Sequence, residues 1–284
     1  MFYHEYPPPP SLRQQVQCFW MLEHDYRQPF HTHEHLWADT HVELIFSFGE
    51  PYYQRKNNRK QKLPKNFIIG PSTKELLLYS DGFTGFIAAR FHPWGFTPFS
   101  KQPATTLVDA ILPATKTLSH PPQNLQEQLQ NCTREKRLRL LTEWLMAAKP
   151  KQSPDNQLTR AIATQLKTTH GVEKITRLAT QFKINPRKLE RDFLQHIGLP
   201  AKLFARILRF NHARELIQQN PNIGLAALAY ETGYADQAHF SKNFKQLFNF
   251  TPAEFKARIK TFNAETSGLD RDVVFVQDQG KPIA

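Results

Sequence analysis

The sequence predicts an α+β protein. A small amino-terminal domain of barrel-like or sandwich-like β structure with flanking helices is followed by an all-α domain of two helix-turn-helix units on a long linker helix. Three observations predict this: short aromatic and β-branched runs broken by turn residues over the first hundred positions, Pro- and Ser-bearing connectors after them, and a helical pattern from residue 155 onward that repeats itself. A chain of 284 residues with 40% hydrophobic content is long enough for two domains, each with its own core. The expected divisions are 1–115 for a β-rich sensor or assembly domain, 116–154 for a connector with one helix, 155–262 for the helical domain, and 263–284 for a tail.

In the first part, Val16 to Leu22, Val42 to Phe48, Phe67 to Ile69, Glu75 to Tyr79 and Phe83 to Phe91 read as strands. Asp81-Gly82 and Asn57-Asn58 have the composition of hairpin turns. The stretch from 113 to 124, with Pro121-Pro122, reads as a connector. A helix then follows, in which Leu138, Leu141 and Leu145 share one face and Arg134, Arg137 and Glu143 take others. It is expected to pack on the β domain rather than on a second copy of itself. A second connector runs from Lys149 to Pro154, and the tail holds one strand-like run, Val273 to Val276.

Charge separates these parts. The formal net charge is +12, but residues 151–262 hold 18 Lys and Arg against 8 Asp and Glu, whereas residues 1–150 hold 17 against 13. A localised positive field suits a polyanion, because Lys and Arg displace counterions condensed on phosphate. No run approaches the roughly 18 apolar residues of a membrane helix, and Met1 to Pro10 lacks the order of a secretory signal, so a cytoplasmic protein with no membrane partner is expected. Cys18 and Cys132 are far apart and without CxxC spacing, which argues against a disulfide framework or a thiolate zinc site.

The repeat carries the function. Ile175, Leu178 and Ala179 recur as Leu225, Leu228 and Ala229, and beyond a turn Leu189, Phe193 and Ile197 recur as Phe240, Phe244 and Phe248. The offset grows from 50 to 51 inside the turn, where an insertion costs least. In the first copy Glu173 to Gln181 is the leading helix, and Asn185 caps a second helix that opens with Pro186, where no amide hydrogen is required. In the second copy Leu225 to Glu231 leads, Gly233 turns, and Asp236 caps a helix to about Phe248. Between the copies, Pro200 to Gln219 reads as one helix spanning roughly 30 Å, close to the roughly 34 Å turn of B-DNA. Its buried side is expected to be Leu203, Ile207, Phe210 and Ala213, with Arg206, Arg209 and Arg214 placed to meet phosphates or acidic partners and one or two of these three purely structural.

Arg187, Glu190 and Arg191 project from the first unit, and Gln237, His239 and Lys242 from the second. Arg can pair with guanine, Gln with adenine, and Glu can accept from cytosine, so the set suits base-edge reading. A solvated helix face is the plainer alternative for any one of them.

The residues from Asp155 to Lys260 resemble the DNA-binding region of the AraC/XylS family of bacterial transcription regulators. The most specific piece runs from Ala229 through Tyr230-Glu231-Thr232-Gly233-Tyr234 and on to Lys245, closing with Phe248 to Phe255. Asn249 stands where Gly is common. The resemblance implies first-unit base contacts at Arg187, Glu190 and Arg191, and second-unit contacts at Gln237, Ala238, His239, Ser241 and Lys242. It implies double-stranded DNA and RNA polymerase as partners, activation as the commoner mode, and room for a small-molecule effector and a homodimer. The stretches His41 to Tyr52 and Ala89 to Phe99 resemble an uncharacterised domain found in some members.

Among the remaining constellations, His31, His33, His35 and His41 crowd one stretch, and His33-x-His35-xxx-Asp39 distantly resembles a cupin metal site. The missing Glu and second motif argue instead for surface-loop histidines and no metal. Trp20, Phe46, Phe48, Phe86, Phe91, Trp94, Phe96 and Phe99 divide between core and pocket. Glu43, Phe46, Arg90 and Trp94 are the ligand-binding candidates. Neither a catalytic motif nor a cofactor fingerprint occurs, so no catalytic residue is expected. Two rival readings stay open: an architectural DNA-binding protein without effector, and a cupin-like metal-dependent enzyme domain fused to a DNA-binding module.

Overall fold

A computed structural model of the chain describes residues 2–25, 32–56, 59–149, 156–248, 250–257 and 274–277. The strands are β1 (Phe2–Tyr6), β2 (Val16–Asp25), β3 (Thr32–Leu36), β4 (Val42–Gly49), β5 (Tyr53–Lys56), β6 (Arg59–Lys62), β7 (Asn66–Ile69), β8 (Leu76–Tyr79), β9 (Phe83–Phe91), β10 (Ile111–Pro113) and β11 (Val274–Gln277). The helices are α1 (Ala114–Thr117), α2 (Leu125–Gln130), α3 (Arg134–Ala148), α4 (Gln157–Thr168), α5 (Ile175–Gln181), α6 (Pro186–His196), α7 (Ala201–Gln219), α8 (Leu225–Glu231) and α9 (Gln237–Phe248). None of the described helices is long and apolar enough to cross a membrane.

The β part is two sheets, with no closed barrel. One has the order β1-β2-β9-β4-β7-β10 and the other β11-β3-β8-β5-β6. Strand alternation sorts side chains between two cores. On one face of the larger sheet, Met21, Leu44, Phe46, Ile87, Ala89 and Phe91 pack with Leu141 and Leu145 of α3. On the other, Trp20, Leu22, Ile45, Phe67, Phe86 and Ala88 meet Leu78 of the smaller sheet. A register shift between Val16 and Cys18 in β2 sits at the edge of this sorting.

The helix α3 lies on the sheet, so its leucine face is consumed within the chain. Arg137, expected on another face, is buried instead: it donates to the Leu129 and Gln130 carbonyls, pairs with Glu23 at 3.2 Å and stacks 3.7 Å over Phe48. Three further expectations change. Asp81-Gly82 is not a hairpin turn, because β8 and β9 belong to different sheets and neither residue has the positive φ that a tight hairpin requires. His33 and His35 belong to β3 rather than to a surface loop, since that run pairs on one side with β8 and on the other with β11. The tail strand is Val274–Gln277. Asn57-Asn58, His31, Val273, Asn249 and most of the second connector lie outside the described residues, although β5 and β6 pair antiparallel on either side of 57–58.

In the helical part α4 to α9 enclose a core of Leu166, Leu178, Leu189, Phe193, Phe204, Ile207, Phe210, Leu228, Phe240 and Phe244. Trp37, Ala38 and Trp94 of the β part belong to the same cluster, so the two parts share a buried apolar seam. The Thr97 hydroxyl donates to the His196 carbonyl at 2.8 Å, and Asn156 donates to the Trp94 carbonyl at 3.3 Å. Gly198 ends the first unit with φ +86°, and a Cβ there would stand 2.4 Å from the Ala104 carbonyl oxygen. Both its dihedral and its neighbour therefore demand glycine. Gly198→Ala is expected to lower stability by more than about 1 kcal/mol, read as a shift of the urea midpoint; an unchanged midpoint would mean that this seam is not tightly packed.

Candidate nucleic-acid interface

The first unit runs through α5 and α6. Asn185 Oδ1 accepts the Arg187 amide at 2.8 Å, and Pro186 opens the helix. Leu189, Phe193 and Ile197 are at most 2% exposed, so the helix lies fixed on its apolar stripe. The second unit repeats the plan: Asp236 Oδ1 accepts the His239 amide at 2.7 Å, and Phe240 and Phe244 are buried.

The turns show where the repeat slips. Lys183 and Gly233, 50 positions apart, both take positive φ, at +50° and +73°. The residues after them close the same bond, Ile184 to the Ala179 carbonyl at 3.0 Å and Tyr234 to the Ala229 carbonyl at 2.9 Å. The extra residue of the second unit is then Ala235, between Tyr234 and the cap. The first unit holds a lysine where a left-handed residue is needed, which costs about 1 kcal/mol or more.

On the outward faces Arg187 and Arg191 are exposed, as are Gln237, Ala238, His239 and Lys242, while Ser241 is half-buried. Arg191 Nε stands 3.9 Å from Asp192, whose carboxylate also takes Lys188. Glu190 is half-buried at a groove lined by Lys174, Lys202, Arg206 and Arg209. Arg206 and Arg209 are half-buried too, and the Nε of each lacks a hydrogen-bond partner among the described residues. Arg209 spreads over the Tyr234 ring at 4.7 Å, so it ties α7 to the second unit as well as facing the groove.

The helix α7 runs Ala201–Gln219, about 28 Å at about 1.5 Å per residue. Its buried residues include Phe204, Ile207, Phe210, Ala213 and Ile217. One expectation fails here: Leu203 is only partly buried, at the groove. Arg214 is buried and lines a cavity, and so is the structural one of the three arginines.

That cavity, of about 300 Å³, lies between the β part and the helical part. Trp20, Ile45, Phe67, Leu78 and Phe86 line its apolar end, and Lys167, Leu208, Asn211 and Arg214 form the opposite wall. Glu43 and Arg90 line it as expected, whereas Phe46 and Trp94 do not. Phe46 falls on the alternate face of β4 and packs against Trp144, and Trp94 is in the seam, donating to the Gln14 carbonyl at 3.1 Å.

Two acid–base pairs lie in the cavity wall. Arg90 donates to Glu43 at 2.6 Å, and the Trp20 indole donates to the other Glu43 oxygen at 2.9 Å. Burial pushes the Glu43 carboxyl up, against the pull of Arg90. Burial would also raise Asp39, but the His41 ring, 2.8 Å away, together with Arg90 and the Thr40 amide outweighs it and holds that carboxyl well below the usual range. Lys167 reaches across the seam to Gln17 at 3.0 Å and to His41 at 3.2 Å. Asp39 is thus occupied by His41. The sequence analysis missed the whole α4 and α7 wall, because nothing in a helical repeat marks which of its polar residues will meet another domain.

Comparison with known proteins follows the same division. A family model described as a domain of unknown function, DUF6597, matches residues 4–113, and one described as a helix-turn-helix domain matches residues 178–258. The HTH-type transcriptional regulator GlxA of Rhizobium meliloti is 40% identical over 83 residues, 29% of this chain and 25% of that protein. The HTH-type transcriptional activator RhaS of Salmonella arizonae is 33% identical over 79 residues, 28% of each chain. The match therefore spans about a quarter of the length of these relatives. Among solved structures, ToxT from Vibrio cholerae aligns with a TM-score of 0.47 at 11% identity, covering 84% of this chain and 98% of that one.

Each cap satisfies a free amide in the first turn of its outward-facing helix. Asn185→Ala and Asp236→Ala are each expected to cost about 1 kcal/mol in urea unfolding, and to reduce DNA affinity more than non-cap exposed substitutions such as Gln195→Ala. Equal effects of cap and control would remove this account.

Proposed function

We propose that this chain, whose carboxy-terminal segment is a double helix-turn-helix domain of the AraC/XylS type, is a transcription regulator that reads two successive major-groove segments of double-stranded DNA. The observation that carries the proposal is the duplicated, capped helix whose hydrogen-bonding face stays open to solvent in both copies. Arg187, Glu190 and Arg191 are the base readers of the first unit. Gln237, His239 and Lys242 are those of the second, with Ala238 and Ser241 at the same surface. Arg206 and Arg209, with unpartnered Nε atoms at a basic groove, take phosphates and fix register. Activation is the direction the RhaS likeness favours, with RNA polymerase as the protein partner.

The β part acts in this reading as an effector domain. Its cavity is closed on one side by α4 and α7, so a small molecule seated there touches the helix that carries both reading units. It can alter their presentation only by binding the two arrangements with different affinity. The Asn211 Oδ1 atom, buried in that wall without a partner among the described residues, is a ready acceptor for such a ligand.

Footprinting the full chain on selected DNA is expected to show a protected stretch of about two helical turns. Arg191→Ala should lower specific affinity by about 1 to 3 kcal/mol and relax preference at one base position, whereas Arg209→Ala should weaken specific and non-specific binding together. Protection without a fixed site would favour an architectural protein. An unchanged base preference in Arg191→Ala would overturn the assignment of α6.

A further inference from the structure

The rim of the cavity holds three side chains that the DNA-binding reading leaves unused. After α4 the chain passes through His170 and Gly171, both with positive φ, at +49° and +73°. A Cβ on Gly171 would lie 2.1 Å from the Ala205 carbonyl oxygen, so this turn is pressed against α7. The Gly171 amide donates to the Leu166 carbonyl at 2.7 Å, which pins it from the other side. His170 is thereby set over His212, with ring centroids 3.9 Å apart and planes 18° from parallel. Glu215 stands three residues after His212, on the same face of α7.

One nitrogen from each histidine and a carboxylate oxygen of Glu215 all lie within 4.8 Å of one another. A tetrahedral ion with bonds of about 2.0 to 2.1 Å needs donors about 3.4 Å apart, so binding requires the two rings to rotate out of their stack and turn their in-plane lone pairs to a common point. The His212 Nδ1 is buried without a hydrogen-bond partner among the described residues, and the Glu215 oxygen nearest to it in this arrangement stands 3.9 Å off. A buried orphan nitrogen is costly unless something fills its lone pair or takes its proton.

We propose that His170, His212 and Glu215 form a binding site for a divalent transition-metal ion of the zinc class. Two imidazoles and a carboxylate are a borderline-soft donor set, better suited to such an ion than to magnesium or calcium. The ion clips the turn after α4 to the linker helix. Three protein ligands leave a coordination position open, and since all three side chains line the cavity, a donor atom of a cavity ligand can reach it. The metal site itself does not depend on the DNA-binding or effector readings.

The test uses the full chain stripped with chelator, titrated with Zn²⁺ by calorimetry and with Co²⁺ by visible absorption. One equivalent is expected to bind, and His170→Asn or His212→Gln should weaken it at least about 100-fold, since loss of a mere supporting partner already costs about 10 to 100-fold. His170 is exposed and Asn tolerates its left-handed backbone, so that variant is expected to fold even if His212→Gln does not, with circular dichroism as the check. A paired His33→Ala, His35→Ala variant should bind as the parent does. Absence of stoichiometric binding, or binding lost in the His33, His35 variant and kept in His170→Asn, would overturn the proposal.

Discussion

The burial of one helix, α7, is the constraint on which the arrangement rests. Its apolar residues pack against both helix-turn-helix units, while Leu208, Asn211 and Arg214 reach the cavity beneath the β sheets. Burying side chains of this size is worth about 1.5 to 3 kcal/mol each, enough that neither unit can leave α7 without unfolding locally. The spacing between the outward faces of α6 and α9 is consequently a property of a rod rather than of a loop. The same burial excludes Arg214 from solvent and leaves Lys202, Arg206 and Arg209 as the cations of α7 that border the open groove.

Much of this was legible in the sequence, and the reasons are local. Caps such as Asn185 and Asp236, the proline at the first helical position, and apolar residues at three- and four-residue intervals all act within one or two turns of chain. In the larger sheet β2, β4, β7 and β9 were legible for a similar reason, since their runs are apolar on both faces, whereas the partly exposed β1 and the three-residue β10 were not. What the sequence hid was non-local. Thr32–Leu36 is too polar to read as a strand until its two partners are known, and Asp81-Gly82 looks like a hairpin until the strands it joins turn out to belong to different sheets. At the site, the exposed residues of α6 and α9 followed from periodicity, whereas Phe46 and Leu203 were misplaced because face assignment depends on which neighbours arrive from elsewhere in the chain.

The cavity illustrates how ionisable groups are kept inside a largely apolar wall. Arg90 with Glu43, and His41 with Asp39, are each satisfied before any ligand enters. Such pairs add little to stability, because desolvation offsets most of their attraction. They do fix the geometry of the wall, so a guest meets preset hydrogen-bonding directions, and the unmatched Asn211 Oδ1 is one of them.

The seam joins the two reading units to the β part by different kinds of contact. The first is held by a hydrogen bond from Thr97 and by a glycine wedged against the Ala104 backbone. The segment following the second meets Trp37 edge to face, through Phe250 and Phe255 at 6.2 and 5.2 Å. Directional bonds resist displacement, while ring edges glide over one another at small energetic cost. Since Trp37 also borders the cavity, the aromatic contact beside the second unit shares a wall with it, whereas the hydrogen-bonded contact of the first unit does not.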